Sequence, residues 1–146
     1  KKIGVQIQMK KSTILFFLFP IFIMGNNQTG VKSTKPEIIQ IQDNLMRVLY
    51  SYKESEDLST NLMIAPKGWT EPFVKCEFKI QGMVLNGKLG LETEKGILII
   101  SEKEGFLIPK NTKVRIHNAG DSELRIIEIL RPAYKKSLVT KYPLGK

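Results

Sequence analysis

From residue 36 to residue 132 the chain is a succession of short apolar-rich runs divided by turn residues: EIIQIQ, LMRVLYSY, TNLMIAP, FVKCEFKI, MVLNGKLGLE, GILII, GFLIP, TKVRIHN and ELRIIEIL. None of them sustains a helical period. Regularly spaced short strands of this kind predict an all-β sandwich or barrel, with helix a minor component. In residues 73–80, Val74, Cys76, Phe78 and Ile80 share one face while Lys75, Glu77 and Lys79 share the other, the period-two pattern of a half-buried strand. The same parity in KVRIHN sets Val114 and Ile116 against Lys113, Arg115 and His117. Asn86-Gly87, Glu94-Lys95-Gly96 and Ala119-Gly120-Asp121 are the strongest turn signals, each with a residue that tolerates a positive φ. There is no internal repeat and no low-complexity block.

The ends of the chain follow different rules. Met9, Lys10 and Lys11 precede the apolar run ILFFLFPIFIM (14–24) and then Gly25, which is the layout of an export signal: a charged start, a short apolar stretch and a small residue at the cleavage point. Residues 1–25 are therefore expected to be a signal peptide, with 1–8 upstream of the natural start. The run is shorter than the roughly 20 apolar residues a spanning helix needs, and Pro20 interrupts it, so a retained membrane anchor is the weaker reading. Localisation is then periplasmic or secreted, and the membrane is met only through the signal. Residues 26–36 read as a flexible lead-in, 37–132 as the β-barrel, and 133–146 as a basic C-terminal tail forming a surface extension rather than a core strand.

The 146 residues suit one domain. The net charge of +9 is concentrated at the start; without Lys1, Lys2, Lys10 and Lys11 it is +5. The remaining lysines are scattered apart from Lys135, Lys136 and Lys141, and no aromatic platform accompanies them, which argues against nucleic-acid binding. The single Cys76 excludes an internal disulfide and a cysteine-based zinc site. It is expected to be a buried, inert thiol, because its face carries Val74 and Phe78 and no cation. His117, the only histidine, has the parity of the outward face. Glu92, Glu94, Glu102 and Glu104 lie near turns among lysines and form no acid–base pair. Trp69, Phe73 and Phe78 are expected in the core or at its rim, with Trp69 at the mouth of a barrel also able to stack on a ligand ring.

The segment from Gly68 to Glu128 resembles the small single-domain cupins. Their first motif, G-X5-H-X-H-X3-E-X6-G, aligns with Gly68, Val74, Cys76, Ile80 and Gly87, so both glycines match and all three ligands are replaced. Their second, G-X5-P-X-G-X2-H-X3-N, aligns with Lys103, Pro109, Asn111, Val114 and Asn118, keeping the proline and the asparagine but not the histidine. The resemblance implies a jelly-roll β-barrel. It also implies that the four metal-ligand positions are Val74, Cys76, Ile80 and Val114, a set that cannot hold a divalent ion against its hydration. No metal, no other cofactor and no catalytic residue is therefore expected. The interior positions Val74, Cys76, Phe78, Ile80, Val114 and Ile116 are the expected lining of a cavity for a small apolar or aromatic ligand, unless the barrel fills it with its own side chains. Two other readings stay open: a metal-independent sugar isomerase or epimerase using Tyr50, Tyr52 or lysines projecting inward, and a homodimer through edge strands.

Overall fold

The structure is a computed structural model that describes residues 33–42, 45–53 and 55–143. The expected signal, and the lead-in up to residue 32, lie outside the described residues. Residues 33–36 carry no regular secondary structure. Eleven strands follow: β1 (Glu37–Gln42), β2 (Met46–Lys53), β3 (Ser59–Ala65), β4 (Val74–Cys76), β5 (Lys79–Asn86), β6 (Lys88–Thr93), β7 (Gly96–Ser101), β8 (Gly105–Ile108), β9 (Lys113–Asn118), β10 (Leu124–Arg131) and β11 (Val139–Lys141). One sheet has the order β1-β2-β3-β10-β5-β8 and the other β11-β4-β9-β6-β7, with every named pair antiparallel. This is the all-β, two-sheet architecture that the spacing of short strands predicts, in the jelly-roll form that the cupin resemblance implies. Among the described residues no helix is long and apolar enough to cross a membrane.

The alternation in 73–80 is real, but the segment is two strands. Residues 74–76 pair with β9 and β11 in one sheet, and from Lys79 onward the chain pairs with β10 and β8 in the other. The bend at Glu77–Phe78 carries the chain round the corner between sheets. Val74, Cys76, Phe78 and Ile80 are all buried, so the dry face stays inward through the turn. A second corner falls at Asn86-Gly87. There Gly87 has φ +85°, and a Cβ would lie 2.9 Å from the Glu123 carbonyl oxygen, so the position excludes a side chain twice over. Between the sheets lie Met63, Trp69, Val84, Leu89, Leu124 and Ile126, each fully buried.

Residues 133–143 are not a surface extension. Ala133 is buried, the Tyr134 amide donates to Ser59 Oγ at 3.0 Å, and a single 3-10 turn at Lys136–Leu138 leads into β11, which pairs with β4 through Val139 and Cys76. Tyr134, Leu138 and Val139 pack on the core, and the Tyr142 amide donates to the Phe73 carbonyl at 2.8 Å. The cause is the free edge of β4, whose backbone groups need a partner. The lysines of this segment obscure its apolar residues in the sequence.

The second-motif turn shows a strained backbone. Lys103 stands where the cupin pattern has glycine and has φ +68°. A left-handed conformation costs a non-glycine residue about 1–2 kcal/mol, part of which glycine returns through its larger unfolded-state entropy. Lys103→Gly is expected to stabilise the domain by about 0.5–1 kcal/mol in urea unfolding. Unchanged or lowered stability would show that this turn is not strained.

Candidate ligand cavity

A cavity of about 550 Å³ opens between the two sheets. Its walls are largely aliphatic: Ile39 and Ile41 from β1, Leu49 from β2, Ile80 and Leu130 from the same sheet, and Val74, Ile116 and Val139 from the facing one. Phe78 and Tyr134 complete the wall, their rings 6.1 Å apart, while Lys136 and Lys141 of the folded-back segment also line it. Five of the six positions expected to face a ligand, Val74, Cys76, Phe78, Ile80 and Ile116, do line this cavity. Val114 pairs with Val74 across the β4–β9 ladder and is buried, but it borders a separate depression with Leu91, Pro109 and Thr112.

The interior is not purely apolar. Arg47, Asn61, Glu71 and Glu128 also line the cavity, and the last three are almost wholly buried. Arg47 Nη2 donates to Glu71 Oε2 at 2.7 Å, Nη1 approaches Met63 Sδ at 3.3 Å, and the guanidinium lies 4.7 Å from the Trp69 ring centroid. The pair joins the two sheets. Arg47 belongs to β2, whereas the Glu71 amide is fixed to the Ile116 carbonyl of β9 at 3.1 Å. Trp69 is fully buried beneath the guanidinium, so it is core and cannot stack on a ligand.

Asn61 and Glu128 face each other across the β3–β10 ladder, with Ser51 next in the row on β2. Burial pushes the Glu128 carboxyl above its ordinary range, against the opposing pull of the Arg47 charge and the Asn61 amide. Burial, reinforced by the Glu71 and Glu128 charges, pushes the Cys76 thiol up to about 12. It is therefore a protonated, unreactive thiol across the physiological range. Burial also raises Tyr134.

The remaining sequence candidates fall elsewhere. His117 points away from the cavity and lies over Gly90, where a Cβ would come within 2.1 Å of its imidazole. Burial and the Arg115 charge both lower its pKa. Tyr50 and Tyr52 do not line the cavity; the β2 register gives the inward face to Arg47, Leu49 and Ser51 instead. Glu92 is bound by Arg115, whose Nε donates to Glu92 Oε2 at 2.8 Å, and is a structural partner.

The cupin scaffold implies a divalent metal, and the donor set does not fit one. Val74, Ile80 and Val114 offer no ligand atom, and Cys76 is held as the thiol. Among the described residues no three His, Cys, Asp or Glu side chains are grouped to hold an ion. The motif positions that persist have other work. Gly68 and Gly87 are both left-handed, at φ +76° and +85°, and Asn111 takes φ +63° in the Pro109 turn. Asn118 Nδ2 donates to the carbonyls of Pro66 at 3.0 Å and Ser122 at 2.7 Å, and its Oδ1 accepts from the Gly120 amide at 3.0 Å. It pins two loops together without any metal.

A jelly roll with two corner turns and an internal cavity, built on this motif skeleton, defines a class. The comparisons with solved structures agree: the chain has the cupin fold. An RmlC-like cupin from Shewanella frigidimarina matches at a TM-score of 0.57 with 16% identity, over 70% of this chain and 88% of that one. The polyketide cyclase RemF from Streptomyces resistomycificus matches at 0.62 with 12% identity, over 80% and 88%. No protein-family model matches the chain. Among curated proteins it is 31% identical over 84 residues to the endoribonuclease YbeY of Myxococcus xanthus, a match covering 58% of this chain and 29% of that protein. The chain thus spans less than a third of the curated relative it matches.

The pKa of Glu128 makes stability depend on pH in a defined direction. Above the ordinary 4.5 the unfolded chain releases this proton while the folded chain retains it, so the contribution of Glu128 is complete at low pH and is lost as pH rises toward the raised folded value. Glu128→Gln removes that loss. The variant is expected to unfold at a higher temperature than the parent at pH 7.5 and to show no such gain at pH 4. An equal effect at both pH values would contradict a raised pKa.

Proposed function

We propose that the domain is an exported, metal-free cupin-like module that binds a small molecule between its sheets. The observation that carries this reading is the cavity of about 550 Å³, within the usual size range of ligand sites, with aliphatic walls and a few buried polar groups among them. The replaced ligand positions support its metal-free character, and the segment from Met9 to Gly25 supports export.

A second reading, a metal-independent isomerase or epimerase, is favoured by one feature. Glu128 is a buried carboxyl at the cavity wall whose pKa burial raises, the direction that favours a proton donor. Cys76 and Tyr134 beside it are held protonated by burial and would contribute hydrogen bonds rather than bases.

The test is native mass spectrometry with elemental analysis on the mildly purified domain, followed by incubation of any recovered organic ligand with the protein in D2O. The binding reading expects no stoichiometric metal, a co-purifying organic mass and no deuterium at carbon. Stoichiometric metal would overturn the metal-free claim. Deuterium incorporation that disappears in Glu128→Gln would replace binding by catalysis.

A further inference from the structure

The cavity opens between the outer edges of the two sheets. Its exposed lining residues are Gln40 and Gln42 on β1, Lys136 in the 3-10 turn and Lys141 at the end of β11. β1 is the outermost strand of one sheet and β11 of the other, so these four side chains form the rim. Exposure falls further in. Ile39, Ile41 and Val139 are half-buried, and Leu49, Ile80 and Leu130 are buried. A hydrocarbon throat therefore lies beneath a polar, cationic mouth.

The rim carries no carboxylate among the described residues. Glu71 and Glu128 are the acids of the lining, both are buried, and Glu71 is engaged by Arg47 at 2.7 Å. Lys135 is engaged by Glu56, which does not line the cavity, whereas Lys136 has no acidic partner among the described residues. Three cationic side chains, Arg47, Lys136 and Lys141, thus line the cavity against two carboxyls, and the two lysines sit at its mouth.

The place of that charge sets the polarity of the guest. A hydrocarbon body entering the throat gains about fourfold in affinity for each methylene removed from water. An anionic head left at the rim keeps part of its hydration, so it meets the lysines without the desolvation cost of a buried pair. A cationic head at the same place is repelled. Lysine stems lie readily along apolar walls with the ammonium in solvent, which suits both parts of such a guest.

We propose that the ligand is an amphipathic monoanion, a single hydrocarbon chain or ring bearing one carboxylate, with its body between the sheets and its carboxylate at Lys136 and Lys141. This rests on the binding reading above and names the ligand class of the same cavity.

The probes are octanoate, 1-octanol and octylammonium, which share one chain and differ in the charge of the head. Binding to the mildly purified domain is read by NMR chemical-shift titration at pH 7.5. Octanoate is expected to bind about fivefold more tightly than octanol and at least about tenfold more tightly than octylammonium, the effect of one or two exposed ion pairs. Raising sodium chloride from about 0.05 M to about 0.5 M is expected to cut the octanoate-to-octylammonium ratio by at least about half, because exposed charges are screened. In the Lys136→Glu, Lys141→Glu double variant the ratio is expected to fall below one, and Lys136→Glu alone, expected to lower it severalfold, serves if the double variant does not fold. Equal affinity of the three probes for the parent protein would overturn the anion selection while leaving a binding cavity. An octanoate preference unchanged by charge reversal would place the head group away from the rim and overturn the proposal. Absence of binding by all three would overturn the ligand class, the binding reading itself being decided by the co-purification experiment.

Discussion

The Arg47–Glu71 ion pair is the interaction on which the interior depends. It is buried, and it links the two sheets at the cavity, with one partner on β2 and the other fixed to β9. A buried pair recovers its desolvation cost only when both ends are well satisfied, and losing one partner leaves a charge that the interior cannot solvate. The surroundings are arranged accordingly. Trp69 presents its ring face to the guanidinium, Met63 Sδ approaches Nη1, and burial raises the pKa of the second carboxyl of the cavity, Glu128. The cavity thus sets a few polar and charged side chains, Lys136 and Lys141 among them, in largely aliphatic walls.

The motif skeleton and the motif chemistry come apart in this chain for a physical reason. Gly68 and Gly87 are required by left-handed backbone at corners of the jelly roll, and Asn118 ties the Pro66 loop to the turn after β9 by hydrogen bonds. None of these roles involves a metal. Val74, Cys76 and Ile80 occupy cavity positions whose constraint is only to be inward and of suitable size, and aliphatic side chains meet it.

Much of this was legible in the sequence. Strict alternation fixed the inward faces of residues 74–80 and of β9, and the two motifs fixed the jelly roll. Other features were legible in principle. Asn61 shares its register with Met63 and Ala65, Glu128 with Ile126 and Leu130, and Arg47 with Leu49, so period two alone places these polar residues inside. The expectation of an apolar barrel omits them, because charged and amide side chains are mostly exposed in folded proteins. Glu71 lies in the irregular stretch between β3 and β4, where no periodicity says which way a side chain points. The corner at Glu77–Phe78 and the docking of β11 depend on which strand lacks a neighbour, which local pattern does not encode.

The central claim, that a sheet-bridging ion pair organises the cavity, is tested most directly by a double-mutant cycle on Arg47→Met and Glu71→Leu read by equilibrium urea unfolding. Each single variant removes one member of the buried pair, and is expected to cost about 3–5 kcal/mol. The double variant, with neither charge, is expected to recover a large part of that, giving a coupling of about 2–3 kcal/mol. Additive losses, with the double variant as unstable as the sum of the singles, would contradict the account.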